Sequence, residues 1–248
     1  MKMLKVFIFS LIFSLSAPLT SQAEQFTVGE TSIEVPPPRG YSNILPHAGE
    51  ARENFNVYTP KESVLLGFYI PTSTLESYLH GDISLVEAIN SKQYYMLELA
   101  DVESSSISSS EFYVLQNQIL EAQKGALAAE MRAALKDDSS ALNKLIKKNE
   151  KGEVELSFPS IIPLNDLHET ENSSQFGYLA QLKVKGLPGE AVDGHSHAAT
   201  GQTGMVRLKG HLLMFLAYRV FQSENDIHSL RNDARSWIAS SLHEEKTE

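Results

Sequence analysis

Met205-Val206-Arg207-Leu208-Lys209-Gly210-His211-Leu212-Leu213-Met214-Phe215-Leu216-Ala217-Tyr218-Arg219-Val220-Phe221 is the stretch on which the fold turns. Met205 to Leu208 and His211 to Phe221 are strand-like runs around Lys209-Gly210, which predicts two strands joined by a tight turn. Just beyond them Ser223 can cap a helix whose apolar residues Ile227, Leu230, Ala234, Trp237, Ile238 and Leu242 keep helical spacing. Such a helix has to bury its stripe, and the sheet beside it is the nearest apolar surface. The expectation is a C-terminal helix packed on the sheet that holds His211–Phe221, with Trp237, the sole tryptophan, on the buried side.

Working upstream, strands come in clusters separated by helices. Phe176 to Val184 alternates cleanly, and Glu153 to Ile162 reads as strand with Pro159 marking an edge or a bulge. Asn172-Ser173-Ser174 matches an N-glycosylation acceptor and marks a surface turn. Tyr94 to Val102 is a strand with Tyr95, Leu97 and Leu99 on one face. Asn54 to Thr59 and Val64 to Ile70 read as strands around a Pro60–Ser63 turn, and Phe26 to Val35 as one strand stopped by Pro36-Pro37-Pro38. Ser73–Glu76 and Ser84–Glu87 have capping-box spacing before two short helices, and Gly81 fits the end of the first. Leu187 to Gly204, small, polar and glycine-rich, reads as a loop.

The best-signalled helix lies between. Ser108 and Glu111 form a capping box, and Ile107 and Phe112 stand where a hydrophobic staple belongs. Phe112, Leu115, Ile119, Ala122, Ala126, Ala129 and Ala133 then recur at steps of three and four, predicting a helix over 109–136. Asp137-Asp138-Ser139-Ser140 can turn the chain and recap a shorter helix over 139–149, whose Lys144, Lys147, Lys148 and Lys151 suit a helix C-terminus. The fold class is therefore α+β: a mostly antiparallel sheet, a long central helix or helical hairpin inserted at about 108–149, and the C-terminal helix on the sheet. No repeat or linker divides residues 24–248, so one domain is expected.

The N-terminus gives the compartment. Met1-Lys2-Met3-Leu4-Lys5 is positive, Val6 to Leu15 is almost unbroken apolar sequence, and Ser21-Gln22-Ala23 places small side chains before Glu24. This is the tripartite pattern of a secretory signal peptide over residues 1–23, cut between Ala23 and Glu24. The apolar run falls short of the roughly 20 residues that span a bilayer. The mature chain is expected to be soluble and periplasmic or secreted, without a transmembrane segment.

Composition removes several chemistries. The chain has no cysteine, hence no disulfide, thiol nucleophile or thiolate metal site. Its 21 basic and 31 acidic residues give a net charge of −10, and loss of Lys2 and Lys5 would leave −12, a surface that repels nucleic acid. It carries no Gly-x-Ser-x-Gly elbow, no Ser-x-x-Lys pair, no Walker loop and no Gly-x-Gly-x-x-Gly turn. Asp137-Asp138 and Glu244-Glu245 read as solvated charge. No catalytic residue and no cofactor are assigned.

One constellation stands out, Asp193-Gly194-His195-Ser196-His197. In an extended segment residues two apart face the same side, so His195 and His197 could grip one metal ion, with Asp193 or His211 as a further ligand. The opposing reading is an exposed polar loop that holds no metal.

A resemblance also covers most of residues 24–248. Val28-Gly29-Glu30-Thr31-Ser32-Ile33 through Pro36-Pro37-Pro38-Arg39-Gly40-Tyr41, the central capped helix, and Leu208-Lys209-Gly210-His211-Leu212-Leu213 through Asp226 and Trp237 resemble a group of uncharacterised exported bacterial proteins. More distantly, a sheet closed by a C-terminal helix is similar to the PsbP/Mog1-like fold. The resemblance implies a compartment and an architecture and assigns no site. Three functional readings follow: a non-enzymatic exported binding protein of envelope maintenance, a metal-dependent envelope enzyme using His195 and His197, and a scaffold that engages an envelope protein through the 109–149 helical region.

Overall fold

Lys209 and Gly210 both take positive φ, 47° and 80°. That is the geometry a two-residue hairpin turn needs to match the twist of its strands. The turn joins β8 (His195–Leu208) to β9 (His211–Val220), paired from Leu208↔His211 out to Ala199↔Val220. The structure, a computed structural model, describes residues 23–59, 63–89, 91–100, 106–125, 155–185 and 195–244.

Seven strands form one antiparallel sheet in the order β3-β4-β5-β9-β8-β7-β6. The remaining members are β3 (Tyr41–Asn43), β4 (Val64–Pro71), β5 (Gln93–Leu99), β6 (Glu155–Thr170) and β7 (Ser173–Lys185). β9 sits between β5 and β8, so the C-terminal hairpin joins the early strands to the late ones. Pro159 falls in the register break of the edge strand β6, between Ser157 and Ser160, where no ladder hydrogen bond is asked of it. Asn172 lies in the turn between β6 and β7, its side-chain oxygen accepting a hydrogen bond from Arg207 at 3.2 Å.

The C-terminal helix α4 (Glu224–Glu244) packs on the face of the sheet to which Phe215, Ala217, Val206 and Leu97 point. Trp237 is 3% exposed. Its ring meets Tyr69, Tyr95 and Phe215 edge-on at centroid distances of 5.5, 5.5 and 4.6 Å, and its indole N–H donates to the Pro36 carbonyl at 2.7 Å. Asp226 caps the helix start, its carboxylate accepting the backbone N–H groups of Gln222 and Ser223. Beside α4 lies a separate hairpin of β1 (Glu24–Val28) and β2 (Thr31–Val35), whose Val28, Ile33 and Val35 join the same core. The single strand expected over Phe26–Val35 is thus folded in two, because Gly29 at φ 59° makes the turn that a side chain would strain.

The opposite face carries two smaller clusters. One lies under α1 (Thr72–His80), α2 (Leu85–Ile89) and two 3-10 segments, Leu45–His47 and Gly49–Tyr58. The strand expected at Asn54–Thr59 is part of the second 3-10 segment: Phe55 turns inward against Phe68, ring to ring at 5.0 Å, and that packing overrides local strand propensity. Gly81 ends α1 at φ 81° as expected, and Ser84 and Glu87 make the reciprocal capping bonds of α2. The box at Ser73–Glu76 does not cap α1, which starts at Thr72 behind Pro71.

The other cluster lies under α3 (Ser109–Gly125). Glu111 accepts the Ser108 amide at 2.8 Å and Ser108 Oγ accepts the Glu111 amide at 3.3 Å; Ile107 packs with Phe112. Phe112, Leu115 and Ile119 face Phe176 and Met205 of the sheet. The expected continuation to 136, and the second helix at 139–149, lie outside the described residues.

The expected loop ending at Gly204 needs correction. His195–Gly204 belongs to β8, paired with β7 on one side and from Ala199 with β9 on the other. Its glycines provide room rather than flexibility. A side chain at Gly201 would collide with the Tyr178 ring, and one at Gly204 with Ile238 of α4. Residues 187–194 of that stretch include 187–190 and 191–194, all outside the described residues.

Candidate functional site

A cavity of about 630 Å³ opens where the β1–β2 hairpin meets β3, β4 and the first 3-10 turn. Glu24, the first residue of β1, pairs with Val35 and sends its carboxylate toward the main sheet. Asn43, 8% exposed at the end of β3, holds it there. The Asn43 side-chain oxygen accepts the backbone N–H groups of Leu45 and Phe68, both at 3.1 Å, which fixes the amide so that its nitrogen donates to Glu24 Oε2 at 2.8 Å. The Tyr69 hydroxyl donates to the same oxygen at 3.4 Å. Burial raises the Glu24 carboxyl above its ordinary value of 4.5, the two donors opposing the shift in part. Burial, and the Glu24 charge beside it, push the Tyr69 hydroxyl well above the usual phenol range.

Around this carboxylate the wall is mixed. Phe26, Leu66 and Leu75 supply apolar surface, Ser42 a hydroxyl bonded to Thr72 at 2.9 Å, and His47 and Arg52 stand exposed at the rim. The arrangement can bind a small amphipathic group: one desolvated acid, a fixed amide, an apolar flank.

Two other polar clusters tie elements together. Asp166 of β6 accepts from Arg231 Nε of α4 at 2.7 Å and from the Gly177 amide at 2.8 Å, and Gln202 continues the chain to Gln175. Arg219 of β9 bonds Gln93 at 2.6 Å and Asp233 at 3.0 Å, while Gln93 donates to the Tyr95 hydroxyl at 2.6 Å. Each joins strands to α4, the placement of a structural lock rather than of a reactive centre.

The histidines marked in the sequence are distributed along β8 and β9. His195 pairs with Val184 and His197 with Leu182, so the extended backbone that a two-residue grip requires is present. His211 pairs with Leu208, on the order of 35 Å along the strand from His197, and the two cannot share one ion. Asp193 lies outside the described residues. Among the described residues, no three His, Asp or Glu side chains gather closely enough to hold a metal ion.

Sequence reasoning missed Glu24, Asn43 and Tyr69 as a group. Their separations of 19 and 45 positions carry no periodic signal. A polar Asn closing a three-residue strand is the only local hint.

The fold and site define an α+β protein, an antiparallel sheet with its C-terminal helix packed on one face and a cavity beneath its N-terminal hairpin. Among the described residues no helix is long and apolar enough to cross a membrane. No protein-family model matches the chain, and no curated protein matches it. Among solved structures, the 1.9 Å crystal structure of the Saccharomyces cerevisiae Ran-binding protein Mog1p is similar over 92% of this chain and 94% of that one, at 12% identity and a TM-score of 0.29. A likeness that weak carries no argument about this chain.

Proposed function

We propose that this is an exported, periplasmic protein that acts by binding rather than by catalysis, in envelope maintenance, with the cavity beside Glu24 as its binding site. The observation that carries the reading is the position of β1. It begins at Glu24, the residue that follows the expected scissile bond, and Glu24 at once forms part of the cavity wall. A cut after Ala23 would fall immediately before β1 and outside every strand and helix among the described residues. Intact-mass measurement of the protein from its native envelope should show a chain beginning at Glu24, and retention of residues 1–23 would defeat the export reading. Crosslinking in the envelope followed by pull-down should then recover a bound molecule or protein.

A second reading has its own support. On α3, Tyr113 is 64% exposed and Val114 54%, large apolar side chains on the side of the helix away from the sheet. They suit an envelope protein partner engaged through the 109–149 region, and Tyr113→Ser with Val114→Ser would then abolish the crosslink. The metal-dependent alternative has only the extended backbone at His195–His197 in its favour. It requires zinc or copper to survive purification and to be lost in His195→Ala, His197→Ala protein.

A further inference from the structure

Asp166 ends a chain of hydrogen bonds whose direction is fixed at every step. A carboxylate only accepts, so the 3.3 Å contact between Gln202 and Asp166 Oδ2 is made by the Gln202 nitrogen. The Gln202 oxygen is thereby free to accept from Gln175 Nε2 at 2.8 Å, and that nitrogen also donates to the Arg231 carbonyl of α4 at 3.3 Å. Both partners of Gln175 Nε2 are acceptors, so the amide cannot be turned over and its oxygen must face elsewhere. Gln175 is 2% exposed, and its Oε1 is buried with no hydrogen-bond partner. On α4, Arg235 is half-buried, and its Nε is likewise buried without a partner. The two atoms belong to one neighbourhood. In an α-helix the Arg235 amide bonds the Arg231 carbonyl, the same group that Gln175 reaches. Helical side chains lean toward the preceding turn, which inclines Arg235 toward that carbonyl.

We infer that one internal water molecule is bound between β7 and α4, accepting the Arg235 Nε–H and donating to Gln175 Oε1. The two atoms select this ligand. An anion would satisfy the arginine and be repelled by the amide oxygen, and a cation would do the reverse. Only a group that both accepts and donates serves the two at once. Less than 1 Å² of either atom is open to solvent, so the group has the size of water and is not the tip of a larger ligand. Left unpaired, each atom would carry the cost of its own desolvation. The water completes the polar network described above. Arg231 is tied to β6 through Asp166 at 2.7 Å and Arg235 to β7 through the water, so successive turns of α4 are pinned to successive strands. The site is separate from the cavity beside Glu24 and stands whatever that cavity binds.

Crystallography of the full chain, at a resolution that shows ordered water, reads the site directly. A water peak should stand at about 2.7–3.2 Å from both Arg235 Nε and Gln175 Oε1. No peak between them, a peak bonded to one atom only, or a direct bond from Arg235 to Gln175 would each overturn the inference. Thermal unfolding of Arg235→Lys gives a second readout whose sign decides. Lysine keeps the cation and the aliphatic stem but carries no donor at the Nε position. With the water in place, the water loses the donor it accepts from, and the melting temperature should fall by about 2–4 °C. Without it, the substitution removes an unpaired buried donor and relieves its desolvation cost. An unchanged or higher melting temperature would therefore overturn the inference as well.

Discussion

The two faces of the main sheet are closed in different ways. On one, α4 and the β1–β2 hairpin share a single continuous core, in which Trp237 touches rings from β4, β5 and β9 and the Pro36 carbonyl. On the other, the cover is divided between α1 and α2 with the 3-10 segments at one end and α3 at the other. From the cluster under α1 and α2 a row of stacked rings runs across the sheet, Phe68 to Tyr94 at 5.1 Å and Tyr94 to Tyr218 at 4.8 Å. The first face gathers residues from both ends of the chain, so damage there should reach the whole fold. The second is divided into two smaller clusters, one drawn from residues 44–96 and the other joining α3 to the strands around Phe176 and Met205, so damage to either should stay more local.

The largest effect expected is Trp237→Ala. A large aromatic removed from a core costs about 3–5 kcal/mol, and here the indole N–H bond to Pro36 goes with it. Phe112→Ala, in the smaller cluster under α3, should fall at the lower end, about 3 kcal/mol. Denaturant unfolding followed by far-ultraviolet circular dichroism, which needs no tryptophan, tests the comparison. Equal losses would mean that the two faces are equally cooperative, and an unchanged midpoint for Trp237→Ala would contradict the core described above.

The two glycines of β8 sharpen the contrast within one strand. Gly204→Ala drives a methyl into Ile238 of α4, which is 5% exposed and has nowhere to go, so a cost of about 1–3 kcal/mol is expected. Gly201→Ala meets the far end of the half-buried Tyr178 ring on the other face, which can swing outward, so the cost should be smaller. Thermal unfolding of both variants checks this; a larger loss at Gly201 would reverse the assignment of rigid and yielding faces.

Ser108→Ala removes the cap of α3 and should cost about 1 kcal/mol. Hydrogen exchange should show faster amides in the first turn of α3 and no change in α4. Spread of the effect into α4 would show that the faces are coupled after all.

Glu24→Gln should have the smallest effect and the opposite sign. Burial raises the Glu24 carboxyl above 4.5, so the folded state holds its proton more tightly than the unfolded one. The resulting stability is full below pH 4.5 and is lost as the pH rises through the folded value, leaving the ionised form unfavourable at neutral pH. Gln cannot ionise, so the variant should unfold slightly higher than the parent at pH 7 and show a flatter dependence in the acid range. A lower melting temperature at pH 7 would mean that Glu24 has a cationic partner in the protein.

Much of this architecture was legible without coordinates, because its signals are local. Lys209-Gly210 names its own turn, the boxes at Ser84 and Ser108 name two helix starts, and Gly81 names a helix end. Spacing alone set Tyr95, Leu97 and Leu99 on one face and Trp237 on the buried side of α4. The failures share a cause. Glycine and small residues at 198–204 have the composition of a loop, and Phe55 sits in strand-like sequence; in both places a distant side chain, Ile238 or Phe68, dictates the backbone.

By itself, then, the sequence determined periodicity, punctuation and the α+β class, since these depend on residues a few positions apart. The tertiary structure alone decided which strands are neighbours beyond the Lys209-Gly210 hairpin, that the N-terminal hairpin closes the core over α4, and that Glu24 meets Asn43 and Tyr69. Those pairings join residues tens of positions apart through burial and single hydrogen bonds, and such contacts leave no pattern in a single chain until it is folded.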